Sequence, residues 1–160
     1  MTCHRVKHKN KEIWYNWLSR YFHFNDSILI HQTVLKKSNG NSLQLEQNES
    51  YAVIDWKAEN LIAANAEELE NAIRLLFKKD YANMIFNISR IEELDGYGVS
   101  AIRKGTKICT NEGGLFVVVT KNDSVAERLD AAKIENLTLL NTVQEGVDAI
   151  YLNDLENEFQ

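Results

Sequence analysis

No run of apolar residues in this 160-residue chain approaches the length of a membrane span. The longest is Leu115-Phe116-Val117-Val118-Val119, whereas a spanning helix needs about 20 apolar residues. The first twenty residues are basic but hold no apolar stretch of signal-peptide length, which argues against export. Cysteine is scarce: Cys3 lies in a polar terminus and Cys109 in a helical pattern. That spacing excludes a disulfide framework and points to a reducing cytoplasm. Neither G-x-x-x-x-G-K-[ST] nor G-x-G-x-x-G occurs, so no phosphate-cradling loop is visible. A G-x-G lies within Asp95-Gly96-Tyr97-Gly98, but no third glycine follows at the required distance. Histidine is missing from residues 39–160, so a Ser-His or Cys-His pair would have to recruit the amino-terminal arm. Together these absences argue for a protein that is not an enzyme and needs no cofactor.

What is present is ordinary for a globular protein: 44% hydrophobic and 26% charged residues. The length fits one domain plus an extension, burying roughly 70% of the unfolded surface. The net charge of −5 conceals a split. Residues 1–38 carry seven Lys/Arg against Glu12 and Asp26, a net +5. Residues 39–160 carry eleven basic and twenty-one acidic side chains, a net −10. An acidic body repels phosphates, so direct nucleic acid binding by the body is not expected.

The arm differs in other respects. It contains all four histidines (His4, His8, His23, His31) and Trp14 and Trp17. Residues 13–22 could form a short helix with a wide aromatic face, suited to a membrane surface, a partner groove or the sheet edge. His4 and His8, four apart beside Cys3, would face one way on a helix. The preferred reading is a basic terminus with incidental histidines and no metal site. The first 30-odd residues are also open to being an upstream extension of the reading frame, although no Met lies between Met1 and Met84. Residues 36–42 read as a linker, so the expected division is an extension at 1–40, a domain at 41–155 and a tail at 156–160.

Within the domain the pattern becomes regular. Leu43 to Glu46 alternates with period two, Asn48-Glu49 can turn, and Tyr51 to Trp56 is a second strand of a hairpin. Asn65 with Glu68 has capping-box spacing, followed by Ala66, Leu69, Ala72, Ile73, Leu76 and Phe77 at helical intervals. Met84 to Ile88 is a short apolar strand. Asp95 opens a second helix with Val99, Ile102, Thr106 and Cys109 on one face, which makes Cys109 a core residue. Leu115 to Val119 is a buried strand. Asp123 is expected to cap a third helix, Leu137 to Leu140 forms a last strand, and Thr142 with Glu145 starts a final helix. The order β-β-α-β-α-β-α-β-α predicts an α/β fold with a mostly parallel sheet, an antiparallel edge hairpin and about four helices.

The loop at 94–98 is the best candidate site. It follows the connector Ser89-Arg90-Ile91-Glu92-Glu93 and delivers Asp95 to a helix amino end. Two glycines in three residues let a backbone approach closely. Tyr97 between them should point outward, because Val99 and Ile102 take the inward face. An exposed aromatic beside bare backbone suits an interface anchor, and a tight turn with an Asp cap is the alternative.

Residues 84–98 as a whole resemble the signature of STAS domains, the family named for sulfate transporters and anti-sigma factor antagonists. The family pattern is an apolar strand ending Asp-Leu-Ser, about five residues, then Asp-Ser-x-Gly opening a helix. The resemblance extends over roughly residues 43–155 and includes the Leu-x-Ala-x-x-Ala-like start at Leu61-Ile62-Ala63-Ala64-Asn65-Ala66. It implies a module that binds an anti-sigma factor or kinase-like protein through Asp95, Gly96, Tyr97, Gly98 and Ser100. In the antagonists the Ser of Asp-Ser-x-Gly is phosphorylated, adding about −1.5 to −2 charges. Here Gly96 occupies that position, Asn87 replaces the strand-end Asp, and Tyr97 replaces a usually small residue. Phosphorylation at the loop is therefore not expected. A cytoplasmic subunit of a lipid or solute transporter and a small-ligand sensor stand as alternatives.

Overall fold

A computed structural model describes residues 42–160. The aromatic stretch at 13–22, the Cys3, His4 and His8 grouping and most of the linker lie outside the described residues. Eleven elements follow in order: β1 (Leu43–Gln47), β2 (Ala52–Trp56), β3 (Asn60–Leu61), α1 (Ala66–Lys78), β4 (Met84–Asn87), β5 (Glu93–Leu94), α2 (Gly96–Asn111), β6 (Phe116–Val119), α3 (Asp123–Ala131), β7 (Thr138–Leu140) and α4 (Val143–Glu158).

The main sheet has the order β1-β2-β4-β6-β7. β1 and β2 form the antiparallel hairpin, with Leu45 opposite Ile54, and the remaining pairs are parallel. The alternation of Ala52, Ile54 and Trp56 with Val53 assigns β2 side chains to opposite faces, as a period of two requires. One face, with Phe86 and Phe116 at its centre, packs under α1, α2 and α3. The other, with Val53, Ile85, Val117 and Val119, packs under α4 through Ile150. All four β6 residues are buried, as expected of a parallel strand covered on both sides. This two-faced burial is why 116–119 is continuously apolar and does not alternate.

Three local readings of the sequence are revised. Asn65 stands at the start of α1, but its side chain makes no cap. Its Oδ1 accepts from the Ile62 N–H at 2.8 Å and its Nδ2 donates to Asn60 Oδ1 at 2.8 Å, which ties the preceding loop instead. The cap of α3 is Asn122, not Asp123: Asn122 Oδ1 accepts from the backbone of Ser124 at 3.0 Å and Val125 at 3.4 Å. Finally, the connectors hold a second, two-stranded parallel sheet in which Asn60 pairs with Glu93 and Leu61 with Leu94. The Thr142 cap does form, with its Oγ1 accepting from the Glu145 N–H at 3.1 Å, while Glu145 reaches back to the Asn141 N–H.

Candidate partner-binding loop

The loop is built from the small sheet outward. β3 and β5 bring Leu61 alongside Leu94, and the Asp95 N–H donates to the Leu61 carbonyl at 3.2 Å. Asp95 then caps α2, its Oδ1 accepting from the Gly98 N–H at 2.9 Å. Its Oδ2 accepts from the Ala63 N–H, also at 2.9 Å. One carboxylate thus fixes two loops to each other. These bonds, led by that from Gly98, hold the Asp95 carboxyl below its ordinary range against an opposing effect of partial burial, with Arg128 adding a minor pull.

The two glycines have different reasons. A Cβ on Gly98 would stand 2.5 Å from the Leu61 carbonyl oxygen, whereas a Cβ on Gly96 would meet nothing within 4 Å. Gly98 is buried and serves the contact between α2 and the small sheet, so its bare backbone faces inward. Gly96 is exposed and sterically unconstrained. Between them Tyr97 is 67% exposed, and Ser100 one turn on is half-buried. The Asp95–Ala63 bond sets exposed Ala63 and Ala64 beside this tip. That neighbour carried no local signal and was missed in the sequence.

Asn87 closes the end of β4. Its Nδ2 donates to Asp55 Oδ1 at 3.1 Å, and its Oδ1 accepts from the Ser89 hydroxyl at 2.7 Å and backbone at 3.2 Å. Lys57 pairs with the same Asp55. An amide here donates to one neighbour and accepts from the other, which a carboxylate could not do. Cys109 is fully buried, and burial, then Glu112, pushes its thiol up, so it is a core residue and no thiolate. Among the described residues no group of three or more His, Cys, Asp or Glu is placed to hold a metal. No helix among them is long and apolar enough to cross a membrane.

A family model, that of the STAS domain, matches residues 42–148. The chain belongs to the STAS domain family. Solved structures agree on the fold. An anti-sigma factor antagonist from Mycobacterium paratuberculosis superposes with a TM-score of 0.61 at 17% identity, covering 68% of this chain and 92% of that one. The Bacillus cell fate determinant SpoIIAA in its phosphorylated form gives 0.55 at 17% identity, covering 68% and 98%. The murine Solute Carrier 26 family member A9 anion transporter, in its inward-facing state, gives 0.50 at 11% identity, with 67% of this chain on 18% of that one. At these identities the likeness is one of fold. The search of curated proteins found no match. The Asp95 cap that opens α2 lies within the matched residues.

Proposed function

We propose that this STAS domain is a non-catalytic regulatory module that binds an anti-sigma factor or a similar kinase-fold protein in the cytoplasm. The recognition surface is the tip formed by Asp95, Gly96, Tyr97 and the exposed side of Ser100, with Gly98 supporting it from below. One observation carries this reading: Tyr97 is 67% exposed on a backbone pinned by both oxygens of Asp95. A large aromatic on a rigid turn loses little freedom when it is buried against a partner. Without a hydroxyl at Gly96, binding at this loop is not released by phosphorylation there.

The test is affinity purification with the full chain, followed by titration of the recovered partner against wild type and Tyr97→Ala. If Tyr97 is an anchor, the substitution weakens binding by about 2 kcal/mol, roughly 30-fold in Kd. Unchanged affinity removes Tyr97 from the interface. Recovery of a transporter ATPase with the membrane fraction, and no kinase-fold protein, would favour a transporter subunit.

A further inference from the structure

Tyr97 apart, the large exposed hydrophobics among the described residues belong to one helix and its cap. Tyr151, Leu152, Leu155 and Phe159 are 51%, 61%, 50% and 87% exposed. The cause is length. α4 has 16 residues, about 24 Å, whereas β4 and β6 have four residues each, about 13 Å. Val143, Val147 and Ile150 pack on the sheet, and the carboxyl-terminal half of the helix runs past it.

That half is nevertheless held in place. Asn153 and Asn157 each donate through Nδ2 to the Gly113 carbonyl, at 3.0 and 2.8 Å. Asp154 Oδ1 accepts from Asn83 Nδ2 at 3.3 Å, and the Tyr151 ring meets Tyr51 edge-on at 6.5 Å. At about 100° per residue, Tyr151, Leu152, Leu155 and Phe159 fall within one arc of roughly 100°, and the three polar anchors lie on the opposite side. The four therefore form a fixed apolar stripe aimed away from the body. Scattered apolar residues are common on surfaces, whereas a contiguous stripe of large ones marks a docking site.

Charge decides what fits there. Exposed Asp148 lies in line with the stripe one turn before Leu152, and exposed Glu156 and Glu158 lie on its two flanks. Residues 134–160 contain no Lys or Arg. The last turn of α4 thus has no basic residue, at the helix end where the dipole favours cations. A second copy of the same helix would set these carboxylates against their own kind, and an anionic lipid surface would be repelled. We propose that the stripe of Tyr151, Leu152, Leu155 and Phe159 docks a basic amphipathic helix of a partner protein. Its apolar residues would recur at three- and four-residue spacing, with Lys or Arg on either side. The contact lies on the sheet face opposite α1, α2 and α3, so it is separate from the Tyr97 tip.

Fluorescence anisotropy of the full chain with two labelled amphipathic peptides tests this, one built of Leu and Lys and one with Glu in place of every Lys. The Leu/Lys peptide should bind at least about tenfold more tightly than the Leu/Glu peptide. Leu152→Asn/Leu155→Asn changes exposed positions only and should weaken the Leu/Lys peptide about tenfold. Glu156→Gln/Glu158→Gln leaves the apolar stripe intact and should weaken it about threefold at low salt, with a shallower salt dependence. Equal binding of the two peptides to wild type overturns the proposal, and so does undiminished affinity for the Leu/Lys peptide in either variant. A wild-type dimer in sedimentation that Leu152→Asn/Leu155→Asn dissociates also overturns it and assigns the stripe to a second copy.

Discussion

Gly96 and Gly98 look equivalent in the sequence and are opposites in the fold. Adding a methyl to Gly98 drives it into the Leu61 carbonyl, a backbone atom that cannot step aside without moving the small sheet. Gly98→Ala should therefore cost about 2 kcal/mol even though Ala is the better helix former. Gly96→Ala should stay within about 0.5 kcal/mol of wild type. Urea denaturation of both variants decides it, and equal stabilities would mean that α2 does not seat on Leu61. The same geometry leaves room for a side chain at Gly96, so the fold does not impose glycine there. Asp95 adds a pH dependence. Its carboxyl is held below the ordinary range first by the Gly98 N–H, so its contribution is complete above the unfolded pKa of about 3.9 and is lost as pH falls through the lower folded value. The difference in urea midpoint between wild type and Asp95→Asn should be constant near neutrality and shrink as the pH falls below the unfolded value. A gap that does not change with pH would exclude the charged cap as its source.

Three of the four described helices start on an Asx or Thr side-chain cap, at Asp95, Asn122 and Thr142, and the sequence has no proline to mark a helix start. Capping residues crowd together at Asn65 and at Asn122-Asp123, and local pattern does not choose between a cap and its neighbour. Tertiary contacts do. Asn122 is held by its Nδ2 donating to the Ile91 carbonyl at 3.3 Å and its N–H to Thr120 Oγ1 at 3.1 Å, which aims its Oδ1 at α3. Asn122→Ala should thus destabilise by about 1 kcal/mol and Asp123→Ala by clearly less, about 0.3 kcal/mol from the helix dipole alone. The reverse order in thermal melts would restore Asp123 as the cap. Among the described residues the main strands and the four helices were legible because their periodicities are local: alternation in 43–56, β-branching in 116–119, helical spacing after 65, 95, 122 and 142. β3 and β5 were not, since two residues cannot display a period. At the loop, Asp95 as cap and Tyr97 as an outward side chain followed from Val99 and Ile102 facing in. The partners Leu61 and Ala63 did not, since they meet Asp95 only through the small sheet.

At the scale of the molecule, charge and anchor act on different halves of a binding reaction. The body is strongly acidic, and exposed Glu92 and Glu93 shortly precede the Tyr97 tip in the chain. Such a field raises the encounter rate with a basic partner and is screened by salt over about 10 Å at 0.1 M. Tyr97 is an uncharged side chain, and in the proposed interface it acts once the surfaces have met, by slowing separation. For the partner of the proposed interface, raising ionic strength from about 0.05 to 0.5 M should lower the association rate about tenfold and leave dissociation nearly unchanged. Tyr97→Ala should do the converse, with most of its effect in the dissociation rate. Stopped-flow or surface-based kinetics on the two proteins separates the two contributions. If salt and Tyr97→Ala both act on dissociation alone, the acidic surface is part of the buried contact and does not steer the approach.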